Sequence, residues 1–243
     1  MRSSSHDAER ALRRGRNTHA RLHLIRGLWL AAFCACAQPF GAGGVLAQAP
    51  TDSGHAVVAP WLVGPFVGVA HNSPAGNYLG ATPDRDHFFL GVEAVTTLIR
   101  FGVGRLSYTF QLLPLVIIHG SAVPEGYYPP PGSPPIANTA YAIGVAPFGL
   151  EIGVTAAKRV EFYLAAAAGG LFFTKPFPVP DAEQINFTLE YGIGLRLRTT
   201  RTQWLQVGYK YHHLSNAYTG LVNPGLDGHV LYAGYAWGIH LPR

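Results

Sequence analysis

Cysteine is nearly absent from this chain. Among 243 residues only Cys34 and Cys36 carry a thiol, and both lie in an N-terminal segment that reads as removable. Without them the rest of the chain can form no disulfide and run no thiol chemistry. Charge is sparse too: Asp, Glu, Lys and Arg make up 13% of the residues. No apolar run approaches the ~18 residues that a membrane-spanning helix needs. Nor does any stretch longer than a dozen residues hold a clean helical stripe without Gly, Pro or β-branched interruption, so a helical fold is disfavoured.

The net charge of +5 is largely a property of the leader. Seven of the 18 basic residues (Arg2, Arg10, Arg13, Arg14, Arg16, Arg21 and Arg26) and two of the 13 acidic ones (Asp7 and Glu9) precede Gln48. That leaves 11 of each sign afterwards, and a near-neutral chain gives nucleic-acid binding no support. The arginines are followed by the apolar Leu28-Trp29-Leu30-Ala31-Ala32-Phe33 and by small residues ending Val45-Leu46-Ala47. This is the order of a secretory signal, although its basic region is long. Cleavage is expected after Ala47, with a lead-in over 48–60 and one domain over 61–243.

What the chain has in abundance is alternation. Ile185, Phe187, Leu189, Tyr191, Ile193, Leu195 and Leu197 fall on one face of an extended segment. Asn186, Thr188, Glu190, Gly192, Gly194, Arg196 and Arg198 fall on the other. Side chains of a strand alternate with a period of two, so this is a long half-polar strand. The pattern recurs in seven further segments, giving strands near 61–71, 86–99, 105–119, 139–155, 159–173, 185–198, 203–215 and 228–240. Long connections at 72–85, 120–138, 174–184 and 216–227 alternate with short ones at 100–104, 156–158 and 199–202.

Long loops at one end and tight turns at the other are the habit of an outer-membrane β-barrel. A closed barrel is also the only sheet that leaves no unpaired edge in lipid. A soluble lipocalin-like barrel would carry its charge outside. Here Gly and charged residues share one face, and large aromatics crowd the other. Glu93, Glu151, Glu190, Arg105, Arg196 and Lys210 can then pair in a narrow interior. The expected fold is all-β, an eight-stranded antiparallel transmembrane barrel with its long loops outside the cell.

Near the C-terminus stand His213-Leu214-Ser215-Asn216-Ala217 and then Asn223-Pro224-Gly225-Leu226-Asp227. His213 and Ser215 are two apart, so one strand face carries both. The Asn-Pro-Gly turn signal lets the connection return Asp227 toward the histidine. A base, a nucleophile and a carboxylate are the parts of a serine hydrolase. Solvated rim residues would fit the spacing equally well. Their parity continues Leu205, Val207, Tyr209 and Tyr211, the lipid-facing row, which puts the trio at the outer rim facing the outer leaflet.

This segment resembles the lipid A 3-O-deacylase family (PagL-like, often called acyloxyacyl hydrolases). The Leu112-Leu113-Pro114-Leu115 run is similar to the family as well. The likeness covers most of the chain after the leader in architecture and is specific in 211–235. It implies a barrel with a His-Ser-acid triad on its lipid-facing surface: Ser215 as nucleophile, His213 as base and then acid, and Asp227 orienting His213. It also implies an oxyanion role for Asn223 and for backbone N–H groups after Ser215. Asn216, Ala217 and Gly225 support that loop, Asn216 chiefly by fixing it. The chain departs from the best-known members in having Asp227 where they have Glu and Tyr218 where they have Gly.

Of the other histidines, His212 is expected in the lumen, His229 at the outward rim beside Asp227, and His71 and His87 at the rim of the first loop. The resulting reading is an outer-membrane serine esterase that hydrolyses the 3-O-linked acyl chain of lipid A without metal or organic cofactor. Its partners are lipid A or lipopolysaccharide of the outer leaflet and the outer membrane itself, with no nucleic acid; a homodimer stays open. The alternatives are a non-enzymatic barrel of the same architecture and an outer-membrane phospholipase or acyltransferase.

Overall fold

The computed structural model describes residues 61–74, 79–124 and 126–239. The signal segment expected at 1–47 and the lead-in at 48–60 lie outside them. Eight strands follow one another: β1 (Trp61–Ala70), β2 (Asp86–Phe101), β3 (Gly104–His119), β4 (Thr139–Ala157), β5 (Val160–Phe173), β6 (Ile185–Arg198), β7 (Gln203–Ser215) and β8 (Leu226–Ile239). Each pairs antiparallel with its sequence neighbours. β1 closes on β8 from Trp61↔Ile239 to Val69↔Leu231, so the sheet is a closed barrel. The fold is the eight-stranded antiparallel outer-membrane barrel that the alternation predicts.

The faces sort as expected. Outward residues such as Leu164 and Leu231 are about 60% and 62% exposed, a surface built for lipid rather than water. Inside, the lumen has two storeys. Toward the short turns, Glu151 bridges two arginines, Arg105 at 2.7 Å and Arg196 at 2.5 Å. Glu161, which the sequence reading did not include, grips Arg105 through two hydrogen bonds of 2.6 and 2.9 Å. Higher up, Lys210 pairs with Glu190 at 2.5 Å. Toward the long loops the filling turns apolar: Phe66, Phe89, Val116, Ile118, Leu171 and Phe173 pack with Leu214, Leu226 and Val230.

The glycines of the inner face have a packing reason. A Cβ on Gly194 would fall 2.2 Å from the Tyr163 ring, and one on Gly208 2.4 Å from the Tyr232 hydroxyl. These glycines are the holes into which two inward tyrosines fit, bonded to each other at 2.8 Å. Register shifts between Leu113 and Val116 and between Val145 and Phe148 bracket Pro114-Leu115 and Ala146-Pro147. A bulge is where a strand tolerates a residue with no N–H to give.

The charge network sets a stability prediction. Arg196 is almost fully buried among carboxylates. Removing it leaves the largely buried Glu93 without its arginine and Glu151 with Arg105 alone, and breaking such a buried pair costs about 3–5 kcal/mol. Arg196→Ala should therefore lower the urea midpoint at which the detergent-solubilised barrel loses its compact, heat-sensitive gel migration.

Two placements differ from expectation. Asp227 is not in the loop before the last strand but is the second residue of β8, because Gly225 ends the loop with a φ of +63° and pairing resumes at Leu226. His87 is not a rim residue: it turns into the lumen against Phe89 and His212. β2 carries aromatics on both faces, which blurs its parity in sequence.

Candidate active site

The row Leu205, Val207 and Tyr209 on β7 is exposed, and its continuation Tyr211, His213 and Ser215 is buried. The face is the same; what changes is a cover from the first loop. Residues 79–82 of the β1–β2 connection lie over the start of β8. Ala81 N–H donates to Pro224 O at 2.6 Å and Thr82 Oγ1 to Gly225 O at 2.6 Å. Thr82 also forms a parallel bridge with Leu226. The connection is braced at its base by Ser73, whose hydroxyl donates to Thr82 O at 2.8 Å and accepts from Arg85 N–H at 3.0 Å. Arg85 then reaches the carbonyls of Gly120 and Ala122 in the next long loop. Burial draws the Arg85 guanidinium below its ordinary pKa, to about 10.

His213 and Asp227 are direct cross-strand partners of β7 and β8. The imidazole Nδ1 stands 2.6 Å from Asp227 Oδ1. A carboxylate can only accept, so Nδ1 carries the proton and Nε2 keeps the lone pair of a base. The second carboxylate oxygen, Oδ2, accepts the Gly80 N–H at 2.7 Å. Tyr211 supplies a further hydrogen bond to the same carboxylate. Asp is thus long enough here, because the ladder itself brings it to the ring. Gly225 is needed for its positive φ, and a Cβ there would also crowd the strap, 3.2 Å from Gly80 Cα.

Ser215 ends β7, on the face of His213 and opposite Phe187 of β6. Among the described residues no hydrogen bond links its hydroxyl to His213. Such contacts commonly tighten only when substrate is bound.

The loop after Ser215 is held by Asn216. Its Oδ1 accepts the Tyr218 N–H at 3.0 Å, its Nδ2 donates to Val222 O at 2.7 Å, and its carbonyl takes Thr219 Oγ1 at 2.7 Å. Asn223 Oδ1 accepts the Asn216 N–H at 3.0 Å. Ala217 and Tyr218 are both left-handed, with φ of 51° and 60°. Two consecutive non-glycine residues in this region are strained, by ~1–3 kcal/mol each, and persist only where their surroundings enforce them. The N–H groups of Asn216 and Tyr218 are therefore spent inside the loop. The Ala217 N–H, next to Ser215, and the Asn223 Nδ2 are among the donors that this network leaves unused within the described residues. Tyr218 is 43% exposed, so its ring stands off the loop rather than filling it.

Among the described residues the other histidines do not join this group. His71 is exposed, with Nδ1 2.7 Å from Asp86 Oδ1. His212 points into the lumen beside Phe89. His229 lies on the outward face, 2.5 Å from the Tyr209 hydroxyl. Gly80 and Thr82 were not legible as site residues, since nothing in the first loop's sequence points to β8. Tyr211 had one signal: it lies two residues before His213 on the same face.

Residues 137–236 match a family model described as lipid A 3-O-deacylase (PagL). The match spans β4 to most of β8 and contains His213, Ser215 and Asp227. In fold the chain is similar to the crystal structure of the outer membrane enzyme PagL, with 15% identity, a TM-score of 0.51, and coverage of 74% of this chain and 99% of that one. It is also similar to Neisserial surface protein A, with 15% identity, a TM-score of 0.45, and coverage of 74% and 97%. A third likeness is to Ail, the attachment invasion locus protein of Yersinia pestis, with 10% identity, a TM-score of 0.42, and coverage of 74% and 97%. No curated protein sequence matches the chain. The resemblance carried by 211–235 is thus met both by a family model and by the fold.

Proposed function

We propose that this chain is an outer-membrane serine esterase that removes the 3-O-linked acyl chain of lipid A. The observation that carries the reading is the His213–Asp227 pair at 2.6 Å on the outward row that ends in Ser215, inside the segment matched by the family model. Ser215 Oγ attacks the ester carbonyl carbon while His213 Nε2 takes its proton. Asp227 holds the imidazole in that tautomer and stabilises its cation. The negative oxygen of the tetrahedral intermediate is met by the Ala217 N–H and the Asn223 Nδ2. Collapse breaks the bond to the sugar oxygen, which leaves with the proton from His213. Water, deprotonated by the same imidazole, then releases the hydroxy fatty acid and restores Ser215. The 1–47 segment exports the protein, and the site works at the outer leaflet.

The test is a mass spectrum of lipid A from a host whose position-3 acyl chains are ester-linked, with and without expression. Lipid A should lose one hydroxyacyl chain, and the free acid should appear. Unaltered lipid A beside a folded, heat-modifiable barrel would return the chain to the non-enzymatic reading. Loss of acyl chains from phospholipid instead would make it a phospholipase.

A further inference from the structure

We infer that Tyr211 and the 79–82 strap are positioning elements for Asp227, a second set of residues on which the proposed esterase depends. The inference rests on the function proposed above and extends it to a part of the chain, 79–82, that lies outside the matched segment 137–236.

Asp227 is completely buried. A buried carboxylate is tolerable only when its lone pairs are met, and each donor that meets it also fixes its rotation. Three donors do so. His213 Nδ1 takes Oδ1, the Gly80 N–H takes Oδ2, and Tyr211 contributes a third bond to the carboxylate. The acid is therefore clamped on both oxygens, and only one of its partners is the imidazole it serves.

Tyr211 is placed for this by its ring. The ring packs against Tyr191, with centroids 5.2 Å apart, and edge-on to His229 at 5.8 Å. His229 is its cross-strand partner, two pairs along the ladder from His213–Asp227 and on the same face. The tyrosine also meets the backbone of Leu79, so one phenol ties together the acid, β7 and the strap.

The strap is built to approach closely. A Cβ on Gly80 would lie 2.8–2.9 Å from the backbone atoms of Leu226, the residue before Asp227. Only glycine lets this N–H reach the carboxylate. Thr82 and Ala81 then pin the approach through Gly225 O and Pro224 O. A loop that merely closed the barrel mouth would have no need to direct an amide at the acid of the site.

The test uses the full-length protein in detergent micelles with purified lipopolysaccharide as substrate. Tyr211→Phe keeps the ring stack and deletes one hydroxyl. Loss of one charge-assisted hydrogen bond corresponds to a fall in kcat of about tenfold to a hundredfold, with KM nearly unchanged. Relieved of one donor, the carboxylate holds the imidazolium more strongly, so the acid limb of the kcat/KM profile moves to higher pH. Thr82→Val, nearly isosteric, should lower kcat in the same sense by a smaller factor. Wild-type kcat and acid limb in both variants, with turnover still dependent on Ser215, would overturn the positioning role alone. A fall in kcat with an unmoved acid limb and weakened heat-modifiable migration would make Tyr211 structural and overturn it too. Wild-type protein that releases no acyl chain, or releases it equally well as Ser215→Ala, would instead overturn the esterase reading beneath it.

Discussion

Ser215→Ala should abolish release of the hydroxy fatty acid while leaving a folded barrel. The attacking oxygen is gone, and members of a catalytic unit are not additive, so the loss should reach about three orders of magnitude or more. The fold has little to lose. Ser215 is the last residue of β7, its backbone stays in the ladder opposite Phe187, and alanine fills nearly the same space. His213→Asn should fall to the same level, and the double variant should fall no further. The measurement is fatty-acid release from lipopolysaccharide in micelles, beside gel migration before and after boiling. Wild-type release from a folded Ser215→Ala barrel would make the trio structural.

Asp227→Asn should be nearly as severe, about a hundredfold to ten-thousandfold in kcat. Both carboxylate oxygens are acceptors here, one from His213 and one from the Gly80 N–H. Asparagine has a single carbonyl oxygen. If that oxygen takes Gly80, its NH2 faces Nδ1 and selects the tautomer with no base at Nε2. If it takes His213, two donors collide at the strap. Either way the imidazolium loses its counter-charge. Asp227→Glu should also lose activity, although glutamate is the residue of the best-known family members. The ladder leaves no gap between Asp227 and His213, and an added methylene must push on Gly80 or Leu226, an overpacking of about 1–3 kcal/mol. Wild-type rates with an unaltered pH profile in Asp227→Asn would mean a His-Ser dyad or an acid from elsewhere; a faster Asp227→Glu would mean that the strap yields.

The barrel was legible because its physics is local. Lipid outside and a packed interior impose a period of two on every strand, and 185–198 shows it without interruption. Arg105, Arg196, Lys210 and their glutamates declared the lumen, since buried charges must pair. That His213 and Ser215 share one face of β7 was legible by parity alone. What escaped depends on contacts between distant parts of the chain. Thr82 and Gly225 meet across 143 residues, with no periodicity in 72–85 to announce it. Glu161 was missed because a lone carboxylate at a strand start looks solvated until the barrel closes around it. His87 misled for a related reason: a histidine beside a loop suggests a rim, and only closure of β2 against β1 and β3 turns its ring inward.

The two-storey lumen has a consequence for where water can come from. Its outer storey is filled by Phe89, Val116, Ile118, Leu171 and Phe173, and below them a partly open cavity bordered by Glu93, Gln111 and Lys210 offers about 30 Å³, room for a water molecule or two. The barrel is a plugged post rather than a pipe. On the proposed mechanism, an acyl-enzyme on Ser215 would therefore draw its water from the side of the long loops, past the strap and the 216–225 loop, rather than through the packed lumen. In that reading lipid enters from the side and water from above, and the packed interior holds the wall on which they meet.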